Sequence, residues 1–147
     1  MVNVGEKPVT DRFARASGSI RMKAETQRLI RENQFSKGNV LEVARLAGIM
    51  ATKRTADLIP LCHPLPISGV TIDFDFPSES EISVIAEVNV SAKTGAEMEA
   101  LMAVSTATLT IYDMCKSVDR EMTIHHVQLV EKWGGKSGHF VRDNDQA

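Results

Sequence analysis

Aromatic side chains are scarce in this chain: one Trp, one Tyr and five Phe make up 5% of its 147 residues. Proteins that read single-stranded RNA stack bases on exposed aromatic rings. The scarcity, with no aromatic strand of the RNP kind, therefore weighs against an RNA-binding module. Cysteine is scarcer still. Cys62 and Cys115 stand alone, far apart, and form no C-x-x-C spacing. The N-terminal stretch "MVNVGEKPVTDRFARAS" also lacks the apolar run of a secretory signal, so a reduced, cytoplasmic setting is expected. No apolar run approaches the roughly 20 residues that cross a bilayer. Even Ala96 to Val118 is broken by Glu97, Glu99, Asp113 and Lys116, which predicts a soluble protein without a membrane partner. Neither sign of charge dominates: 17 Lys and Arg face 19 Asp and Glu, for a net charge of −2. Such a balance argues against a surface built to coat nucleic acid, although a local cationic pocket is compatible with it.

What is present fits one globular domain. A 43% hydrophobic and 24% charged composition, with both signs interspersed, suits a folded chain, and domains of roughly 100 to 150 residues are the commonest size. We expect a single domain over residues 1–147, with a core at about 17–132. "GSIRMKA" alternates Ile20 and Met22 with Arg21 and Lys23 and reads as a strand. A helix over "ETQRLIREN" should end at the turn Ser36 to Asn39, where Gly38 accommodates positive φ and Lys37 sits at the tip. Asn39 can cap the next helix, whose Val40, Val43, Ala44, Ala47, Met50 and Ala51 have the spacing of a buried stripe. Pro60 and Pro64 end it. "SGVTIDFDF" and "EISVIAEVNVSA", joined by "PSES", form a hairpin. A long helix within "KTGAEMEALMAVSTATLTIYDMCKSVD" and a strand over "MTIHHVQLV" complete the chain. No internal repeat is present. The order β-α-α-β-β-α-β, with the early helices counted as one crossover, is a split β-α-β pattern. It predicts an α+β, ferredoxin-like fold: a four-stranded antiparallel sheet with helices packed on one face.

Several residues invite a chemical role and a plainer one. Thr94 to Glu97 matches a capping box at the start of the long helix. Glu99 lies about 200° around the helix from Glu97, which disfavours a tight carboxylate dyad. Asp113 and Lys116 share a helix face and suit either a surface ion pair or a coupled acid/base pair. Cys62 and His63 lie between prolines in a rigid extended segment. With His125 and His126 expected on opposite strand faces, no metal site is completed, because zinc needs three or four ligands. "GGKSG" has the end of a P-loop but Val130 where the first glycine should stand, and no helix clearly follows. Lys37, Lys53, Arg54, Lys116 and Lys136 are candidates for a dispersed cationic site or for ordinary solvated surface.

Taken together, "KGNV", "AGIMATKRTADLIPLCHPLPIS", "KTGAEMEALMAVSTATLTIYDMCKSVD" and "GGKSG", in this order and spacing, closely resemble the cyclic pyranopterin monophosphate synthase family, MoaC, of molybdenum cofactor biosynthesis. The resemblance covers most of the chain. It implies a lyase that rearranges 3′,8-cyclo-7,8-dihydroguanosine 5′-triphosphate into cyclic pyranopterin monophosphate with loss of diphosphate. It also implies ferredoxin-like subunits in dimers, with active sites at their interface, assembled as a hexameric trimer of dimers. By motif, Asp113 resembles the catalytic acid/base, with Lys116 and Lys37 as cationic partners. Leu61, Cys62, His63, Met98 and Glu99 resemble the substrate-contacting segments. No cofactor is implied, and whether a divalent ion accompanies the triphosphate is left open. The architecture alone would equally host a binding module or a structural oligomer.

Overall fold

The computed structural model describes residues 1–143. Five strands and four helices follow one another as β1 (Thr10–Arg21), α1 (Ala24–Arg31), α2 (Val40–Thr52), α3 (Thr55–Leu58), β2 (Ile67–Ser78), β3 (Glu81–Ala92), α4 (Glu97–Cys115), β4 (Thr123–Trp133) and β5 (Phe140–Val141). The strands make one antiparallel sheet in the order β2-β3-β1-β4-β5. Alternation assigns its faces. Ala14, Ala16 and Ile20 of β1 and Ile82, Val84, Ala86, Val88 and Val90 of β3 are buried beneath the helices. The opposite face is polar, with Arg15 bridging Glu87 and Glu131 at 2.7 Å each.

Five strands replace the four expected. The segment after β4 reverses through Gly134, Gly135 and Gly138, all at positive φ, and returns as β5 against Lys132 and Glu131. Two exposed residues carry too little periodicity to announce a strand. The first strand also begins earlier than "GSIRMKA", because its inward residues Ala14 and Ala16 are too small to mark a hydrophobic period. Gly18 sits at a bulge facing α4, where a Cβ would run into Val104. Across that bulge His126 has φ +54, and its ring meets that of His125 edge-on at 4.5 Å, so the two do not point to opposite faces.

Two helix expectations are corrected. The stripe α2 buries is Val40, Ala44, Gly48, Ala51 and Thr52, whereas Val43 and Met50 are exposed. The cause is Gly48: any Cβ there would meet Ile72 and stand 2.9 Å from the Ala103 carbonyl oxygen, so α2 rotates its bare backbone onto α4. The capping box is not formed either. Ala96 is the N-cap of α4 and contributes no side-chain bond, while the Glu97 carboxylate pairs with Lys132 at 2.5 Å. By contrast, Asn39 accepts from the Glu42 N–H at 3.1 Å, as a capping residue should, and Gly38 has φ +104. The helix expected through residue 59 breaks after Thr52 and resumes as the single turn α3.

Candidate active site

The first turn of α4 and the proline-flanked segment after α3 face each other across a cleft of about 400 Å³. Leu61, Cys62, His63, Met98 and Glu99 all line it, so segments nearly forty positions apart in sequence meet at one cleft. Glu99 is 3% exposed. Burial pushes its carboxyl up to about 7, and the neighbouring Glu97 charge adds to the effect. A carboxyl at this value can hold or release a proton near neutrality, which a surface glutamate cannot do. Burial and the charge of Glu99 also push the Cys62 thiol up, so it is not a ready nucleophile.

The other three residues form a second cluster at the far end of the same helix. Lys116 Nζ lies 2.8 Å from Asp113 Oδ1, and Lys37 Nζ lies 3.4 Å from Asp113 Oδ2 and 3.2 Å from the Asp113 carbonyl oxygen. The Lys116 bond and charge, with the weaker contribution of Lys37, hold the Asp113 carboxyl below its usual range. Reciprocally, Asp113 raises the Lys116 ammonium. At neutral pH the cluster is therefore an ionised carboxylate with Lys116 charged beside it. It stays open to solvent. From Glu99 to Asp113 the helix rises roughly 21 Å at 1.5 Å per residue, so one chain does not bring its two clusters to a common point.

Residues not singled out by the sequence complete the surroundings. The N-terminal segment folds over the cleft, where Val2, Val4 and Lys7 form part of the wall. Lys93 Nζ fastens that segment by donating to the Gly5 carbonyl oxygen at 2.7 Å. Lys7 also borders an adjoining cleft shared with Arg12, Gly135 and Lys136. Arg12 donates to the carbonyl oxygens of Ala92 and Lys93 at 3.0 and 3.2 Å, and among the described residues its guanidinium forms no carboxylate ion pair. Nothing in local sequence marks Lys7 or Arg12, because their neighbourhood exists only once β1, β3 and the glycine turn are assembled. The dispersed lysines thus do not gather in one place. Lys37 and Lys116 meet, Lys136 joins Lys7, and Arg54 pairs locally with Asp57 at 3.2 Å. The glycine turn leads into β5, not a helix, and does not form a P-loop.

Comparison with known proteins places the chain in a family. A family model described as "MoaC family" matches residues 1–135. The chain is 57% identical over 145 residues to the cyclic pyranopterin monophosphate synthase of Magnetococcus marinus, covering 97% of this chain and 88% of that protein. It is 53% identical over 148 residues to the synthase of Thermomicrobium roseum, covering 100% and 89%. It is 52% identical over 144 residues to that of Desulfitobacterium hafniense, covering 98% and 88%. On the family match and on relatives of this identity along almost its entire length, the chain belongs to the MoaC family.

Proposed function

We propose that this protein is a cyclic pyranopterin monophosphate synthase, a lyase of molybdenum cofactor biosynthesis. It converts 3′,8-cyclo-7,8-dihydroguanosine 5′-triphosphate to cyclic pyranopterin monophosphate and diphosphate. The observation that carries the reading is the convergence of Lys37, 76 positions upstream, onto Asp113 beside Lys116. That convergence creates a carboxylate flanked by cations, suited to moving protons on a polyanion. Asp113, ionised, accepts and returns protons as the ring opens and the cyclic phosphate closes. Lys116, held protonated, and Lys37 stabilise developing negative charge while diphosphate leaves. Leu61, Cys62, His63, Met98 and Glu99 hold the guanine-derived ring and sugar in the cleft. Lys7, Arg12 and Lys136, cations free of carboxylate ion pairs among the described residues, add to the positive field that receives a triphosphate.

The same reading includes the assembly. Two clusters some 21 Å apart on one rigid helix are explained if a site is completed by a second chain, as in a dimer, with a hexamer built from three dimers. Val43, Leu46, Met50 and Leu109, exposed on α2 and α4, supply apolar surface for such contacts. The strand order β2-β3-β1-β4 supports a ferredoxin-like assignment with β5 appended at an edge. The free cysteines accord with a cytoplasmic setting.

The test is to incubate the purified protein with the cyclic nucleoside triphosphate and follow diphosphate release. Asp113→Asn should lower turnover by about 10²-fold or more, with thermal unfolding and assembly unchanged. Turnover near wild type in that variant would remove Asp113 from the mechanism.

A further inference from the structure

Asp119 is 2% exposed and lies outside both clusters. Its Oδ2 accepts from the Lys23 N–H at 2.8 Å and from the Thr26 hydroxyl at 3.0 Å, and its Oδ1 accepts from the Glu121 N–H at 3.2 Å. Lys23 is the N-cap of α1, whose own side chain makes no capping bond. The carboxylate thus supplies from a distant segment the negative charge that a helix N-terminus favours. Its backbone is anchored to α4, because the Asp119 N–H donates to the Cys115 carbonyl oxygen at 3.1 Å. A second tie runs in parallel, from Lys23 Nζ to Glu121 at 3.2 Å.

These bonds join the two stretches of chain that meet at the polar cluster. Asp113 and Lys116 sit in the last turn and C-cap of α4. Lys37 sits at the end of the segment that leaves α1, which is pinned by Gln34 N–H donating to the Leu29 carbonyl oxygen at 3.0 Å. The contacts from Lys37 to Asp113 are long and half-exposed, and exposed ion pairs of this kind are too weak to register two elements on each other. A buried carboxylate accepting several hydrogen bonds is strong enough.

We propose that Asp119 is a positioning residue: it clips the start of α1 to the turn leaving α4 and thereby sets Lys37 against Asp113 and Lys116. The inference rests on the function proposed above for that cluster. Burial by itself would push the Asp119 carboxyl up, but the bonds from Lys23, Thr26 and Glu121 together outweigh it and hold it below the usual range, so the clip is ionised at neutral pH.

Thr26→Val removes one bond to the clip while keeping the side chain's shape, and Asp119→Asn removes its charge. In the intact protein, assayed well below its melting temperature, both should lower kcat by about tenfold or more with KM little changed. Carbon-13 NMR should show the Asp113 carboxyl titrating higher than in wild type, since Lys37 is no longer held against it. In a Lys37→Ala background, either substitution should cost little further, because residues acting through one another are not additive. A folded Thr26→Val protein with unchanged kcat and unchanged Asp113 titration would overturn the clip. So would losses that multiply in full with Lys37→Ala. If Asp119→Asn fails to fold, Thr26→Val decides. If Asp113→Asn retains turnover, the proposed function falls, and the Asp113 titration still decides whether the clip exists.

Discussion

Glu99 illustrates how a single side chain is changed by its surroundings. Its carboxyl has an ordinary value of 4.5 and is raised to about 7 in the fold, chiefly by burial. Between those values the folded protein keeps a proton that the unfolded chain has released, so stability falls as pH rises through that window. Above about pH 7 the penalty is complete. Glu99→Gln should therefore be more stable than wild type at pH 8, by about 1–3 kcal/mol, with the advantage absent below pH 4.5. Melting temperatures across the pH range check the sign. An advantage that persists in acid would show that the carboxylate charge is not its source. If the cleft serves the proposed function, the same variant should also lose activity, since a gain in stability at an active site commonly costs function.

At the scale of elements, Gly48 sets how closely α2 lies on α4. Gly48→Ala puts a methyl group 2.9 Å from the Ala103 carbonyl oxygen and against Ile72. Overpacking should outweigh the better helix propensity of alanine and cost about 1–3 kcal/mol, measured as a lower urea midpoint with an unchanged slope. This crossing is also where the sequence misleads. A stripe read from hydrophobicity chose Val43 and Met50, because glycine scores as no anchor at all, yet the bare backbone of Gly48 decides which face turns inward. Elements announced by stereochemistry were legible: the Asn39 cap, the positive φ of Gly38, and the alternation of β2 and β3. The N-terminal half of β1 was hidden by small inward side chains, and β5 by its brevity. The candidate residues that line the cleft or meet at Asp113 were picked out through the family motifs, because by type alone each suits an ordinary surface role equally well. Lys7, Arg12 and Lys132 were not, because a lysine becomes part of a site only through partners such as Glu97, 35 residues from Lys132.

At the scale of the whole molecule, the geometry of α4 yields a test of assembly. If a site draws Glu99 from one chain and Asp113 from another, a mixed dimer of Glu99→Gln and Asp113→Asn chains contains one intact site and one doubly altered site. Random co-assembly should then restore about one quarter of wild-type turnover, although each variant alone is inactive. Co-expressed, tagged subunits and a diphosphate assay would show it. No restoration, with mixed oligomers demonstrated, would mean that Glu99 of one chain and Asp113 of another do not share a site. Sedimentation of the wild type should report a hexamer.

The two thiols differ in a way that experiment can exploit. Cys115 is fully buried, with its thiol pushed up to about 12, whereas Cys62 opens onto the cleft. At mildly alkaline pH a maleimide dye will therefore mark Cys62, slowed by burial and the Glu99 charge, well before the fully buried Cys115, without any cysteine having to be engineered in or out. The cleft carries its own reporter, and the slowing of that labelling by a bound nucleotide is a direct titration of occupancy.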